Sequence, residues 1–230
     1  MLVKNWMSKT VVTIEEDDSM QHAMSLMKEH KIRMLPVVAK GQLVGVVSDT
    51  DLKRASASDA TTLDMHELLY LISKIKVQDI MTKTPITVPQ NLTVEETAEL
   101  LMRKKISGCP VLDDNGLVVG VITRDDLFKV LIMLSGLGKK GIQLAFQVED
   151  RSGSIKNITD VIRKYDGRIA SILSSYEYAA PGHRIVYIRT YDIDRAVLPK
   201  LVEELKQVAM LIYIVDHRDN KREIFHDLVA

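Results

Sequence analysis

Gly45-Val46-Val47-Ser48-Asp49-Thr50-Asp51-Leu52 reappears 75 residues later as Gly120-Val121-Ile122-Thr123-Arg124-Asp125-Asp126-Leu127. Each stretch reads glycine, two β-branched residues, a hydroxyl, two variable positions, aspartate and leucine. The likeness continues upstream. Met7-Ser8-Lys9-Thr10 matches Met81-Thr82-Lys83-Thr84, and Pro36-Val37-Val38 matches Pro110-Val111-Leu112, both at a spacing of 74. One extra residue in the Asp113-Asp114-Asn115-Gly116 turn, against Ala39-Lys40-Gly41, accounts for the change of register. The chain carries an internal repeat, and the repeat sets its architecture.

Within the first copy, Val11 to Ile14 is a short β-branched run followed by the acidic Glu15-Glu16-Asp17-Asp18, which suits the start of a helix. Ser19 can cap that helix, and Met20, Ala23, Met24 and Met27 then fall on one face at helical spacing, as a core stripe does. In the second copy Thr93-Val94-Glu95-Glu96 reads as a capping box. Both helices end in basic residues, Lys28 and Lys31 in one and Arg103, Lys104 and Lys105 in the other. Met34 to Val38 and Leu43 to Val47, around a turn at Lys40-Gly41, form a hairpin. Each copy is therefore strand, helix, strand, strand, helix, and the two are expected to pack as one globule. Between them, Arg54 to Thr62 is a small polar loop, and Leu63 to Ile75 places Leu68, Leu71, Ile72 and Ile75 at helical spacing. That linker helix has an apolar face that could serve a dimer contact.

The glycines of Ser135-Gly136-Leu137-Gly138-Lys139-Lys140-Gly141 mark a boundary. Beyond it the order changes: a strand from Ile142 to Val148, a turn at Asp150-Arg151-Ser152-Gly153, a helix on Ile155, Ile158, Val161 and Ile162, and two strands around Pro181-Gly182. A helix from Asp194 to Gln207 and a strand from Met210 to Val215 follow. The order βαββαβ gives an antiparallel sheet with both helices on one face. The expected divisions are 1–62, a linker helix over 63–76, 77–138, 142–217, and a C-terminal tail over 218–230.

Composition narrows the function. The 230 residues are 46% hydrophobic, enough for a sizeable core, and carry 31 basic and 31 acidic side chains. Such balance leaves no electrostatic footprint for nucleic acid or an anionic membrane. The single cysteine, Cys109, excludes an intramolecular disulfide and a multi-cysteine zinc site, and its apolar surroundings read as core. No apolar run approaches the roughly 18 residues of a membrane span, and the first residues lack a cleavable leader, so a soluble cytoplasmic protein is expected. No nucleophile elbow, phosphate-binding glycine loop, HExxH or CxxC appears, and the six histidines show no paired spacing, so neither a catalytic residue nor a metal site is expected.

The repeated stretch has two readings. Ser-x-x-Asp and Thr-x-x-Asp after two β-branched residues are what a helix N-cap requires. A strand end opening into a helix N-terminus also leaves N–H groups free for phosphate oxygens. The hydroxyl can add a donor, and the aspartate can accept hydrogen bonds from a ribose cis-diol. Hydroxyl plus aspartate is thus a grip for a nucleoside phosphate, one per copy.

These two motifs, each preceded by Met-Ser-Lys-Thr or Met-Thr-Lys-Thr at its unit's start, resemble a tandem pair of cystathionine-β-synthase (CBS) domains, a Bateman module. The resemblance covers roughly Met1 to Leu134. It implies clefts for adenine nucleotides (AMP, ADP or ATP) and in some members S-adenosylmethionine. By that resemblance Asp51 and Asp126 hold ribose, Ser48 and Thr123 hold phosphate, and the segments with Thr10 and Val12, and Thr84 and Ile86, contact adenine through their backbone. The sites differ: Arg33 aligns with Ser107, while Asp49-Thr50 aligns with Arg124-Asp125. Arg124 favours phosphate and Asp49 opposes it, so unequal affinities are expected. The stretch from Gln143 to Asp216 resembles an ACT domain, a ferredoxin-like unit that often binds amino acids. Asp150 and Gly153 are its ligand candidates, or they merely form a turn and cap. The combination is similar to the acetoin-utilisation AcuB family.

The expected fold is therefore α+β, a tandem CBS pair of two βαββα repeats followed by an ACT-type βαββαβ unit. The expected function is a non-catalytic energy sensor: adenine nucleotide as ligand, no cofactor, a possible amino acid effector, a homodimer, an unidentified protein partner, and neither membrane nor nucleic acid. The alternatives are an S-adenosylmethionine or nucleic-acid binder, or a dimerisation module without ligand.

Overall fold

The computed structural model describes residues 1–58 and 73–227. Most of the linker helix expected over 63–76 therefore lies outside the described residues; of its described residues, Ser73 and Lys74 are helical and Ile75 and Lys76 are not. The first repeat comprises β1 (Ile14–Glu15), α1 (Met20–His30), β2 (Met34–Ala39), β3 (Gln42–Ser48) and α2 (Asp49–Ser58). After the short α3 (Val77–Ile80), the second comprises β4 (Val88–Pro89), α4 (Val94–Lys104), β5 (Gly108–Leu112), β6 (Val118–Thr123) and α5 (Arg124–Leu134). Their sheets have matching orders, β1-β2-β3 and β4-β5-β6, each with a parallel then an antiparallel pairing. The register shifts at corresponding places, between Val37 and Val38 and between Val111 and Leu112.

Local chemistry explains the ends of the first helix of each repeat. The Ser19 hydroxyl accepts from the His22 N–H, and Thr93 forms a full capping box with Glu96. Both helices stop at a lysine in the left-handed region, Lys31 with φ 54° and Lys105 with φ 55°.

Neither repeat completes its own core. Val3 is fully buried among Val88, Leu101, Cys109, Val111 and Ile122 of the second repeat, and Val77 is fully buried among Ile14, Met20, Leu35, Val47 and Leu52 of the first. Each such side chain stabilises the partner repeat by about 1.5–3 kcal/mol. Backbone pairing follows the same exchange: Ser8 and Val121 trade two hydrogen bonds at 2.9 and 3.1 Å, as do Thr82 and Val46. This shortens the first strand. Of the β-branched run Val11 to Ile14, only Ile14 lies in β1 (Ile14–Glu15), and the residues before it lead from Ser8, which is bridged to Val121 of the other repeat.

The chain divides into two compact units, Met1–Phe128 and Lys129–Ala230, so α5 begins in the first and ends in the second. The second unit comprises β7 (Ile142–Glu149), α6 (Ser154–Lys164), β8 (Arg168–Ser175), β9 (His183–Tyr191), α7 (Leu198–Val208), β10 (Met210–Asp216) and β11 (Lys221–Ile224). Its antiparallel sheet has the order β11-β10-β7-β9-β8. Ile142, Leu144, Phe146 and Val148 alternate toward α6 and α7, meeting Ile158, Ile162, Leu201 and Leu205. Two expectations are corrected. The second helix starts at Leu198, since Asp194 to Val197 form a turn in which Asp194 accepts from the N–H groups of Ala196 and Val197. Lys221–Ile224, expected within a tail, is a fifth strand paired with β10.

Candidate functional site

In both repeats the outer strand ends on the hydroxyl and the helix starts on the next residue. Ser48 closes β3, its Oγ donates to Asp51 Oδ2 at 2.6 Å and its N–H to the same oxygen at 3.0 Å, while the Asp51 N–H returns to Oγ at 3.3 Å. Thr123 and Asp126 repeat this at 2.7, 3.0 and 3.4 Å. The capping reading of the motif is thus realised twice, and the hydroxyl proton points at the carboxylate rather than outward. To donate to a phosphate the hydroxyl must rotate. One carboxylate oxygen is engaged in the cap. The other oxygen of Asp51 faces the Arg54 guanidinium at 3.8 Å, and the Asp126 side chain is buried.

A backbone hydrogen bond brings a further residue to each helix start. The Asp49 N–H donates to the Arg33 carbonyl at 3.0 Å, and the Arg124 N–H donates to the Ser107 carbonyl at 2.9 Å. Each site therefore has one arginine beside its helix N-terminus, contributed from opposite sides of the same hydrogen bond. In the repeat Arg33 corresponds to Ser107 and Asp49 to Arg124, and the fold brings the two members of each site into hydrogen-bond contact. Asp49 pairs with Lys53 at 3.1 Å.

The segments with Thr10 and Val12, and with Thr84 and Ile86, are strung between the repeats: the first runs from Ser8, bridged to β6, to β1, and the second from Thr82, bridged to β3, to β4. Val12 packs in the cluster containing Val47 and Leu52, the neighbours of Ser48 and Asp51.

A family model described as "CBS domain" matches residues 3–58 and 77–133. A CBS domain-containing protein of Dictyostelium discoideum is 35% identical over 133 residues, covering 57% of this chain and 92% of that protein. The chain belongs to the CBS-domain family. Its paired CBS repeats form a Bateman module, a non-catalytic regulatory unit. Among solved structures, the CBS-pair protein CBSX2 from Arabidopsis thaliana is 30% identical, with 57% of this chain and 94% of that chain covered and a TM-score of 0.50. CBSX2 has also been solved in complex with AMP (33% identity, 57% and 96% covered, TM-score 0.47). The CBS domain pair of protein MJ0100, solved with 5′-methylthioadenosine and S-adenosyl-L-methionine, is 30% identical, covering 57% of this chain and 99% of that chain, with a TM-score of 0.49.

Residue-type reasoning missed the glycine that opens each CBS motif. A Cβ on Gly45 would stand 2.5 Å from Met81 Sδ, and one on Gly120 would stand 2.3 Å from Met7 Sδ. The glycines admit the methionines of the exchanged segments, and the signal was present in the coincidence of the repeated Met and the repeated Gly. Gly108 was missed as well. It pairs with Thr123, and a Cβ there would meet the Thr123 methyl at 3.0 Å and the Ile122 carbonyl at 2.8 Å. The first CBS repeat has Met34 opposite Ser48, where the hydroxyl carries no methyl.

In the C-terminal unit, Asp150 is exposed and faces the Arg184 guanidinium at 3.6 Å, while Gly153 occupies φ +87° at the start of α6. Both fit a turn and cap. A groove of about 390 Å³ lies elsewhere, between α7 and the β10–β11 edge, lined among others by Leu198, Val202, Lys206, Ile214, Lys221 and Glu223. Among the described residues there is no cluster of metal-ligating side chains, and no helix is long and apolar enough to cross a membrane.

Proposed function

We propose that the CBS pair senses adenine nucleotides, with one site at Ser48, Asp51 and Arg33 and the other at Thr123, Asp126 and Arg124. The observation that carries this reading is the recurrence, at both outer strand ends, of a hydroxyl–carboxylate pair on a helix N-terminus with an arginine beside it. With the cap opened, the helix start offers the Asp51 or Asp126 N–H and a positive dipole to phosphate. The arginine adds a charged donor, and the aspartate turns to the ribose when ligand displaces its cap. The backbone around Thr10, Val12, Thr84 and Ile86 then meets adenine. Thermal shift with AMP, ADP and ATP tests it: at about 100 times Kd a ligand adds about 2.7 kcal/mol of stability. A shift lost in Asp51→Ala or Asp126→Ala supports the reading. A folded protein unresponsive to millimolar nucleotide sinks it.

A second ligand for these clefts is S-adenosylmethionine. It shares the adenosine but replaces phosphates with a cationic sulfonium. Competition between it and ATP, read separately in Asp51→Ala and Asp126→Ala, assigns each ligand to a site.

The C-terminal unit is proposed as an ACT-type effector domain over 142–217, following CBS repeats at 1–62 and 77–138, as in the AcuB family. Its βαββαβ order and the exposed turn at Asp150 and Gly153 support an amino acid effector. Homodimerisation is proposed through the C-terminal half of α5, where Leu131, Ile132, Met133 and Leu134 are exposed. Leu131→Glu with Ile132→Lys should convert a sedimenting dimer to monomer.

A further inference from the structure

The sheet of the C-terminal unit holds, on the face turned away from its helices, a cation that no carboxylate meets among the described residues. Arg189 on β9 is 4% exposed. Its neighbours Ile188 and Thr190 alternate to the other side, and Ile188 joins the core under the helices. Arg189 Nε donates to the Ser135 carbonyl at 2.6 Å and Nη2 donates to Gln143 Oε1 at 3.0 Å. Nη1 is buried without a hydrogen-bond partner. Among the described residues no acidic side chain pairs with this guanidinium, and its burial holds it below the usual arginine range. Buried charges are normally paired, because an uncompensated one is among the costlier features a fold can carry.

A second orphan lies one row along the same face. Arg189, Gln143 and Val215 stand side by side in the sheet, and His217 is two residues beyond Val215. The His217 N–H donates to the Gly141 carbonyl at 3.1 Å, and its ring Nε2 is buried without a partner. Burial lowers the His217 pKa, the cations Arg189 and Arg222 lower it further, and Asp216 opposes them. Asp216 belongs to the other side, where both its oxygens are held by Arg195 at 2.9 and 3.0 Å. Three basic groups thus act on one another on this face, and a nitrogen of two of them, Arg189 and His217, is unsatisfied.

We propose that Arg189 and His217 form a binding site for a small oxyanion, a phosphate or carboxylate group, on the sheet face beneath the Ser135–Lys140 connection. The anion accepts from Nη1 of Arg189 and from Nε2 of His217, which it holds in the protonated form, and it supplies the charge the fold lacks. Both nitrogens are sealed from solvent here. Entry therefore requires the connection to lift, and Gly136 and Gly138 give its backbone that freedom. The site uses none of the residues proposed for nucleotide binding.

Imidazole resonances of the full chain, with His217 assigned through His217→Gln, provide the test. The pH titration of His217 is recorded with sodium phosphate, with sodium acetate and with sodium chloride at equal ionic strength. An upward, saturable displacement of its midpoint by an oxyanion but not by chloride is expected, absent in Arg189→Gln and retained in Asp126→Ala. A response to phosphate alone assigns a phosphoryl group, and a response to acetate assigns a carboxylate. A wild-type midpoint unmoved by both overturns the site and leaves the two nitrogens bridged by water. Persistence of the displacement in folded Arg189→Gln overturns it equally, and the wild-type titration decides alone should that variant not fold.

Discussion

Met7 lies directly on Gly120, so that a Cβ built on the glycine would stand 2.3 Å from the methionine sulfur and 2.8 Å from its Cγ. Met81 has the same relation to Gly45. Each contact joins the segment ahead of one repeat to the outer strand of the other, so each repeat's packing depends on its partner. Gly120→Ala should cost about 1–3 kcal/mol by overpacking, since most of the methionine side chain must move. In urea denaturation the double variant with Met7→Ala should recover part of that loss, a non-additivity that places the effect in this contact.

The reciprocal caps at Ser48–Asp51 and Thr123–Asp126 give each aspartate a role that needs no ligand. Asp126→Ala, measured without nucleotide, should lose about 1 kcal/mol of unfolding free energy through the cap alone. Its ligand response must therefore be read as a shift relative to its own unliganded midpoint.

Arg33 and Arg124 stand at equivalent helix starts. A hydrogen bond to a charged group contributes about 1.5–3 kcal/mol, so Arg124→Ala should weaken ATP at the second site by about 10- to 100-fold. Adenosine, lacking phosphate, should bind both proteins alike in calorimetry. Arg33→Ala should do the same at the first site.

Acidification should weaken the C-terminal unit in two stages. Burial lowers the His217 pKa, so the folded state binds its proton less readily than the unfolded chain. That contribution is complete above the ordinary histidine range and is lost as pH falls through the lowered value. Burial pushes the Asp216 carboxyl up, but hydrogen bonds from Arg195 and from the N–H groups of Arg218 and Asp219 outweigh it and leave the pKa below the usual range. Its contribution is present above the ordinary aspartate range and disappears at still lower pH. His217→Gln should flatten the first stage of a stability–pH curve and Asp216→Asn the second.

Cys109 is buried beside Val88 and Val111, and burial pushes its thiol up to about 12. The native protein should not react with an aromatic disulfide reagent at pH 8, and reaction should appear only with global unfolding.

The repeated Gly-to-Asp stretches alone determined that the chain contains two like units and where each strand passes into a helix, because the hydroxyl and carboxylate that cap the helix are neighbours along the chain. The alternation of Ile142, Leu144, Phe146 and Val148 likewise made β7 readable, since a period of two fixes a face without knowledge of what covers it. Local capping chemistry and short-range periodicity survive whatever the rest of the molecule does. Tertiary structure decided that Val3 and Val77 complete each other's repeats, that Arg33 and Arg124 flank equivalent helix starts, that Lys221–Ile224 forms an edge strand, and that Arg189 is buried with no carboxylate beside it among the described residues. Each of these depends on residues far apart in the chain meeting in space, and on the absence of a counter-charge, which no local pattern records.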